Sequence, residues 1–263
     1  MHKVSHTINI VAGCAIAMMA TACNGIFDGV YDDAPAAPTI LEGQVYVNAS
    51  SWKDWYYIDF DSLRQYVERK DTAGLMRAQT HFTAYPIPMS KTDGAVNDPT
   101  GLYTYWFDVF GKGLGNHEKR GFVATEAQPE PPSWSIAVHR NNVRTNGGAV
   151  LETNYTSLND LPKNSTAFTG ATFQTDEWTE TEVWADQSQM LQSLVGCQGI
   201  AINKVLSSWL RLDIPPMPPA FTLNNHVFII RLKSGSYAAV QLENYMDAAG
   251  TKCWLTINYK YPY

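Results

Sequence analysis

Met217 stands between two pairs of prolines, in Pro215-Pro216-Met217-Pro218-Pro219. Proline fixes φ, removes a backbone donor and restricts the residue before it, so this run predicts a stiff, extended loop. A flexible thioether presented on such a loop is an odd use of a residue that normally fills gaps in a core. Met190 lies in Asp186-Gln187-Ser188-Gln189-Met190-Leu191, near the start of a short possible helix. On the residues alone, core filling stands as a reading for both. Glu177, Glu180 and Glu182 form a second cluster. Paired carboxylates can hydrolyse glycosides, but grouped acids also mark a solvated face. Gly111-Lys112-Gly113-Leu114-Gly115 has the wrong spacing for a phosphate-binding loop and reads as a plain connection.

The histidines add no metal site. His81, His117, His139 and His226 share no ligand spacing, and His139, at the end of an alternating run, reads as a hydrogen-bonded structural residue. His-Glu-x-x-His, Gly-x-Ser-x-Gly and Gly-x-x-x-x-Gly-Lys-Ser/Thr are all missing from the chain. The sequence therefore points away from an enzyme.

These residues need strands to position them. Alternating or β-rich runs cover Gln44–Asn48, Trp55–Phe60, Tyr103–Phe110 and Trp134–His139, with Pro129-Glu130-Pro131-Pro132 separating the last two. His226–Leu232 and Tyr237–Leu242 flank Lys233-Ser234-Gly235-Ser236 and predict a hairpin with a glycine-containing turn. Lys252–Tyr261 adds a strand with Cys253, Leu255, Ile257 and Tyr259 on one face. Helical signal is confined to a short helix within 61–80, to Ser188–Val195 and to Ile200–Leu210. The expectation is all-β: a single β-rich domain with short helical connections.

Composition agrees. Aromatic residues make up 12% of the chain, with eight Trp and 14 Tyr, against 17% charged residues. Flat side chains pack well on a pleated surface. The net charge of −6 argues against nucleic acid, which requires a basic face, and the mean hydropathy of −0.23 excludes a polytopic membrane protein.

The N-terminus reads as processing signal rather than fold. Ile8–Ala22 is mostly apolar, too short to span a bilayer as a helix, and ends in Met19-Ala20-Thr21-Ala22-Cys23. Small residues before a cysteine resemble a bacterial lipobox, although Leu is missing three positions before Cys23. Residues 1–22 are thus expected to be a lipoprotein signal peptide and 23–40 a lipidated Cys23 with an acidic, Pro- and Ala-rich tether. Removing the signal takes Lys3 with it and moves the net charge to −7. Only Cys197 and Cys253 then remain beyond the lipid anchor, and their spacing does not decide whether they pair.

The block Trp134-Ser135-Ile136-Ala137-Val138-His139-Arg140-Asn141-Asn142-Val143-Arg144-Thr145-Asn146-Gly147-Gly148 resembles the "WD-A-HR--V-TN-G" signature of the HmuY family, haem-binding surface lipoproteins of Bacteroidetes. Val205–Trp209, Met217-Pro218-Pro219, Val227–Arg231 and Gln241–Tyr245 agree in the same order, and Ser135 replaces the usual Asp. The resemblance spans roughly Gln44–Tyr261 and implies a HmuY-like haem-binding β domain over 41–263. It also implies haem (iron protoporphyrin IX) held by two axial side chains. The best-known members use histidines, but the matching position five residues after Trp209 is Ile214. Other branches resemble methionine users, which gives Met190 and Met217 as axial ligands, with Met246 in reserve and Trp184 and Phe221 as covers for the porphyrin.

The resemblance implies a hemophore-like lipoprotein for iron acquisition. It would be lipid-anchored at the outer membrane, facing the cell surface, and would pass haem to a TonB-dependent outer-membrane receptor, with host haemoproteins as a source. The alternative is a surface lipoprotein of the same fold that binds a glycan or protein partner without haem.

Overall fold

A computed structural model describes residues 41–88, 103–106, 117–118, 127–187, 195–213 and 219–263. The alternating C-terminal runs build its main sheet. Strands β1 (Gln44–Asn48), β8 (Ala149–Glu152), β9 (Gln174–Thr175), β14 (Phe228–Arg231), β15 (Tyr237–Met246) and β16 (Lys252–Lys260) lie in the order β1-β16-β15-β14-β8-β9, all antiparallel. The turn between β14 and β15 is closed by Gly235 N–H donating to Leu232 O, with Gly235 at φ +87°. Cys253, Leu255, Ile257 and Tyr259 are all buried, as the alternation requires.

One face of this sheet carries the large core: Val45, Val47, Phe228, Ile230, Val240, Leu242, Leu255 and Ile257 meet Phe60, Leu63, Leu206 and Trp209. The opposite face buries Val227, Ile229 and Ala239 under Leu158, Leu161, Phe168 and Phe173. An antiparallel sheet covered on both sides explains the near-continuous apolar run Val227–Ile230.

The segment 61–80 forms two helices rather than one. In α1 (Phe60–Glu68) the Asp59 carboxylate accepts from Asp61 N–H, and in α2 (Thr72–Thr80) Asp71 accepts from Gly74 N–H. Each aspartate satisfies an orphan first-turn donor and stops the preceding extended chain. Phe60 is therefore the first residue of a helix, not the last of a strand. Helix α2 lies along edge strand β1, where Gln79 Nε2 donates to Leu41 O and Gln44 O, both at 2.7 Å. Covering an exposed edge in this way prevents further strand pairing.

A second sheet orders β3 (Thr83–Pro86), β2 (Asp54–Ile58), β6 (Ile136–His139) and β7 (Asn142–Thr145). A third orders β10 (Glu177–Asp186), β11 (Val195–Ile202), β4 (Tyr103–Trp106) and β5 (His117–Glu118). β12 (Leu210–Asp213) pairs with β13 (Ala220–Leu223) as a separate hairpin. The expected helix over Ile200–Leu210 shrinks to α3 (Lys204–Ser207), capped by the Asn203 side chain. Ile200 and Ile202 instead complete β11, because β10 offers ladder partners that outweigh local propensity. Val195 likewise begins β11, while 188–194 lie outside the described residues.

Phe228 is fully buried where the sheet meets the helices, so Phe228→Ala leaves a cavity lined by rigid strands. The expected loss is about 3–5 kcal/mol of unfolding free energy, read from urea denaturation. A loss under about 1 kcal/mol would show that this core is not packed as described.

Candidate functional site

Met190 and Met217 lie outside the described residues, as do Cys23 and Ile214. Asp186 of β10 pairs with Gly196 of β11, and Asp213 of β12 pairs with Ala220 of β13. Each methionine thus belongs to the connection of an antiparallel hairpin, Met190 between β10 and β11 and Met217 between β12 and β13.

The described residues at the base of the second connection make a polar-aromatic shelf. Phe221 stacks on Tyr245 with ring centroids 5.7 Å apart and an angle of 14°. The Lys252 ammonium sits 4.6 Å above the Phe221 ring and 3.4 Å from Pro219 O, two residues after Met217. Met246 pairs with Lys252 across β15 and β16, which puts the reserve methionine on the same strand pair. Beside the first connection, Trp184 of β10 stacks on Trp52 at 6.2 Å and 16°, and the Arg140 guanidinium lies 4.1 Å from the other ring of that pair, Trp52. Sequence reasoning named Trp184 and Phe221 but missed Arg140, Lys252 and Trp52. The only available signal for Arg140 was its place in the Trp134 block.

That block is scaffold. It forms the β6–β7 hairpin, and Ser135, His139, Asn142 and Thr145 are buried against the surrounding elements. The His139 ring is wholly buried, with Nδ1 2.9 Å from Asp54 O on β2 and Nε2 2.9 Å from Trp184 O on β10. Asn142 Nδ2 donates to Glu182 O, Asn146 Nδ2 to Trp134 O, and Trp209 Nε1 to Asn141 O. Thr145 donates to Asp176 through both its backbone N–H and its hydroxyl, and Asn203 Nδ2 joins them at 3.2 Å. Burial raises the Asp176 pKa, while these donors oppose the shift. Gly148 has a steric reason: a Cβ there would stand 2.8 Å from Arg231 O. Ser135, where the signature has Asp, accepts from Phe60 N–H and so keeps a structural function.

The acidic cluster lies on β10, the edge strand of its sheet. Glu177 and Glu182 share Lys204 Nζ at 3.6 and 3.7 Å, exposed pairs of small energetic weight. The register shifts between Thr179 and Val183, where the Thr179 hydroxyl accepts from Thr181 and Glu182 N–H. Charge and bulging are common means of keeping an edge strand from pairing with another chain. Nearby, Trp178 is 60% exposed and rests on Gly199, where a Cβ would meet the indole at 2.8 Å. Cys197 and Cys253 are buried on different sheets and are not bonded to each other.

The family profile for HmuY protein matches residues 51–259. The chain belongs to the HmuY family. Several solved structures share its fold, three of which follow. One, from Bacteroides vulgatus and assigned as a HmuY-like haem-binding protein, is 30% identical and covers 84% of this chain and 91% of its own, with a TM-score of 0.54. Another, from Bacteroides fragilis and assigned as a lipoprotein, is 28% identical over 84% and 89%, also at 0.54. The apo HmuY analogue of Tannerella forsythia is 18% identical over 82% and 93%, at 0.52, and supports the fold alone. No curated protein matches. The all-β HmuY architecture expected from the sequence is the one observed.

Among the described residues of this HmuY chain, no group of His, Cys, Asp and Glu could hold a metal ion. The aromatic shelves and the cations Lys252 and Arg140 beside the two connections fit a planar ligand bearing carboxylates.

His139 gives this scaffold a defined pH response. A neutral imidazole has one N–H and donates to one of its two carbonyl neighbours. A second proton would serve both, but burial dominates and lowers the pKa from its ordinary 6.5. Below about pH 6.5 the unfolded chain binds the proton more readily than the folded one. Stability is expected to be full above that pH and to fall as pH drops toward the lowered value. Urea unfolding from pH 8 to 5 should show this decline in wild type and a smaller one in His139→Gln. Equal slopes in the two proteins would refute it.

Proposed function

We propose that this HmuY-family chain is a hemophore-like lipoprotein that binds haem through Met190 and Met217 and delivers it to a TonB-dependent outer-membrane receptor. The observation that carries the reading is the HmuY match over residues 51–259, since family members are haem-binding proteins. Its placement of the ligands draws support from the two hairpins, each of which joins its strands through one of the two methionines. Cys23 is the lipid anchor in this reading, holding the protein at the outer membrane and facing the cell surface, and host haemoproteins are the haem source.

The chemistry comes from the ligand type. Thioether sulfur is a soft, neutral donor suited to haem iron, and methionine ligation raises the iron potential. Two such ligands favour ferrous haem. Methionine has no proton to lose, so ligation itself should vary little between about pH 5 and 8, where histidine would titrate. Nothing in this function requires bond making or breaking by the protein.

A second reading, a glycan partner, draws on Trp178, whose exposed indole offers a flat apolar face. Haem titration of the purified protein, with dithionite and without, separates the two. The expected result is a saturable Soret change, tighter in the reduced state, and its loss in Met190→Ala and in Met217→Ala. A wild-type protein without any saturable change is not a haem carrier. A glycan-array signal abolished by Trp178→Ala would then favour the second reading, and unchanged spectra in both methionine variants would reject those ligands.

A further inference from the structure

We infer that residues 154–173 form a strap, latched by Tyr263, that opens from the main sheet as a unit and uncovers an apolar face. This holds whether or not the protein carries haem. Both ends of the segment are fixed. At one end Thr153 is buried, and its N–H and hydroxyl both donate to Val227 O. At the other, β9 pairs with β8 at two positions, Gln174 O accepts from Asn203 Nδ2, and Asp176 holds Thr145.

Between these anchors the chain joins no ladder and makes a single 3-10 turn, Ser165–Phe168. Connections this long without regular structure are uncommon in a compact domain. No residue from Asn154 to Phe173 is buried, whereas Val227, Ile229 and Ala239 beneath them are fully so. Tyr155, Leu158, Leu161, Phe168 and Phe173 supply the cover, each only half-buried. Half-buried side chains remove less area from water, so this layer is weaker than the core on the other face.

The sheet keeps its own cohesion without the strap. β14 is hydrogen-bonded to β8 on one side and β15 on the other, and Phe228, Ile230 and Val240 pack into the large core. A thin layer resting on such a frame can open at a free energy well below that of global unfolding.

The contacts that close the strap are few. Val227 N–H donates to Tyr155 O and Gln241 Nε2 to Thr156 O, each at 2.7 Å and close to the Thr153 anchor. Phe173, close to the other anchor, lies 5.9 Å from the Tyr237 ring and 5.0 Å from the Arg231 guanidinium. The middle is held by Tyr263, whose hydroxyl donates to Pro162 O at 3.0 Å and whose ring lies 6.3 Å from that of Phe168. Tyr263 is tied to the sheet in turn, its N–H donating to Tyr237 O. Opening exposes Val227, Ile229 and Ala239 together, an apolar surface of the kind that soluble proteins keep covered.

The test is thiol labelling of the full chain carrying Ala239→Cys under native conditions, read residue by residue by mass spectrometry. Ala239 is fully buried under the strap, whereas Cys197 and Cys253 are buried elsewhere and report deeper opening. The thiol introduced at position 239 should be labelled about tenfold faster than Cys253, or more. Adding Tyr263→Ala should speed position 239 about tenfold further, the scale of one hydrogen bond and one aromatic contact, and leave Cys253 unchanged. Labelling at 239 no faster than at Cys253, or Tyr263→Ala accelerating both equally, overturns the inference. If Ala239→Cys fails to fold, hydrogen exchange in chains that keep Ala239 decides. The Val227 amide should then exchange faster in Tyr263→Ala than in wild type, with the β14 ladder amides unchanged; an unaltered Val227 amide overturns the latch.

Discussion

The β6–β7 hairpin has to place His139, Asn142 and Thr145 in a dry interior, and the fold works because each finds a partner on a different element. His139 reaches β2 and β10. Asn141 and Asn142 meet Trp209 and Glu182, and Thr145 engages Asp176, which also holds Asn203 at the start of α3. A buried amide or imidazole without a partner is costly, so these contacts are obligatory once the hairpin is buried. They hold the second sheet against β10 and against the segment leading into β12. Those are the strands from which both methionine-bearing connections depart.

The consequence is a division between frame and site. The residues most diagnostic of the HmuY family lie in the frame, and none of them needs to touch a ligand for the block to persist. Ser135 illustrates this: it replaces Asp, still accepts a hydrogen bond from Phe60 N–H, and leaves the hairpin in register. Arg140 is the exception within the block. Its backbone lies in the left-handed region and its guanidinium rests 4.1 Å from the Trp52 ring.

Much of the strand content was legible because alternation has one period and one meaning. Gln44–Asn48 is a strand with the expected bounds, and the Cys253–Tyr259 face is buried as read. The errors fall where two structures compete for the same residues. Phe60 suits a strand by type, but Asp59 caps a helix before it; Ile200 and Ile202 suit a helix by spacing, but β10 gives them ladder partners. The glutamate cluster looked chemical only because its strand's position at a sheet edge was not visible in one dimension. For the candidate site, the proline-flanked methionine and the two aromatics Trp184 and Phe221 could be named, but not the cations beside them.

By itself, the sequence determined the fold class and the family. These depend on residue type, order and period, which survive without coordinates. Only the tertiary structure decided what His139 and Asp176 are for. The meaning of a polar or charged side chain depends on what distant segments place within about 3–4 Å of it. His139 is 85 residues from Asp54 and 45 from Trp184, separations that no local pattern can report.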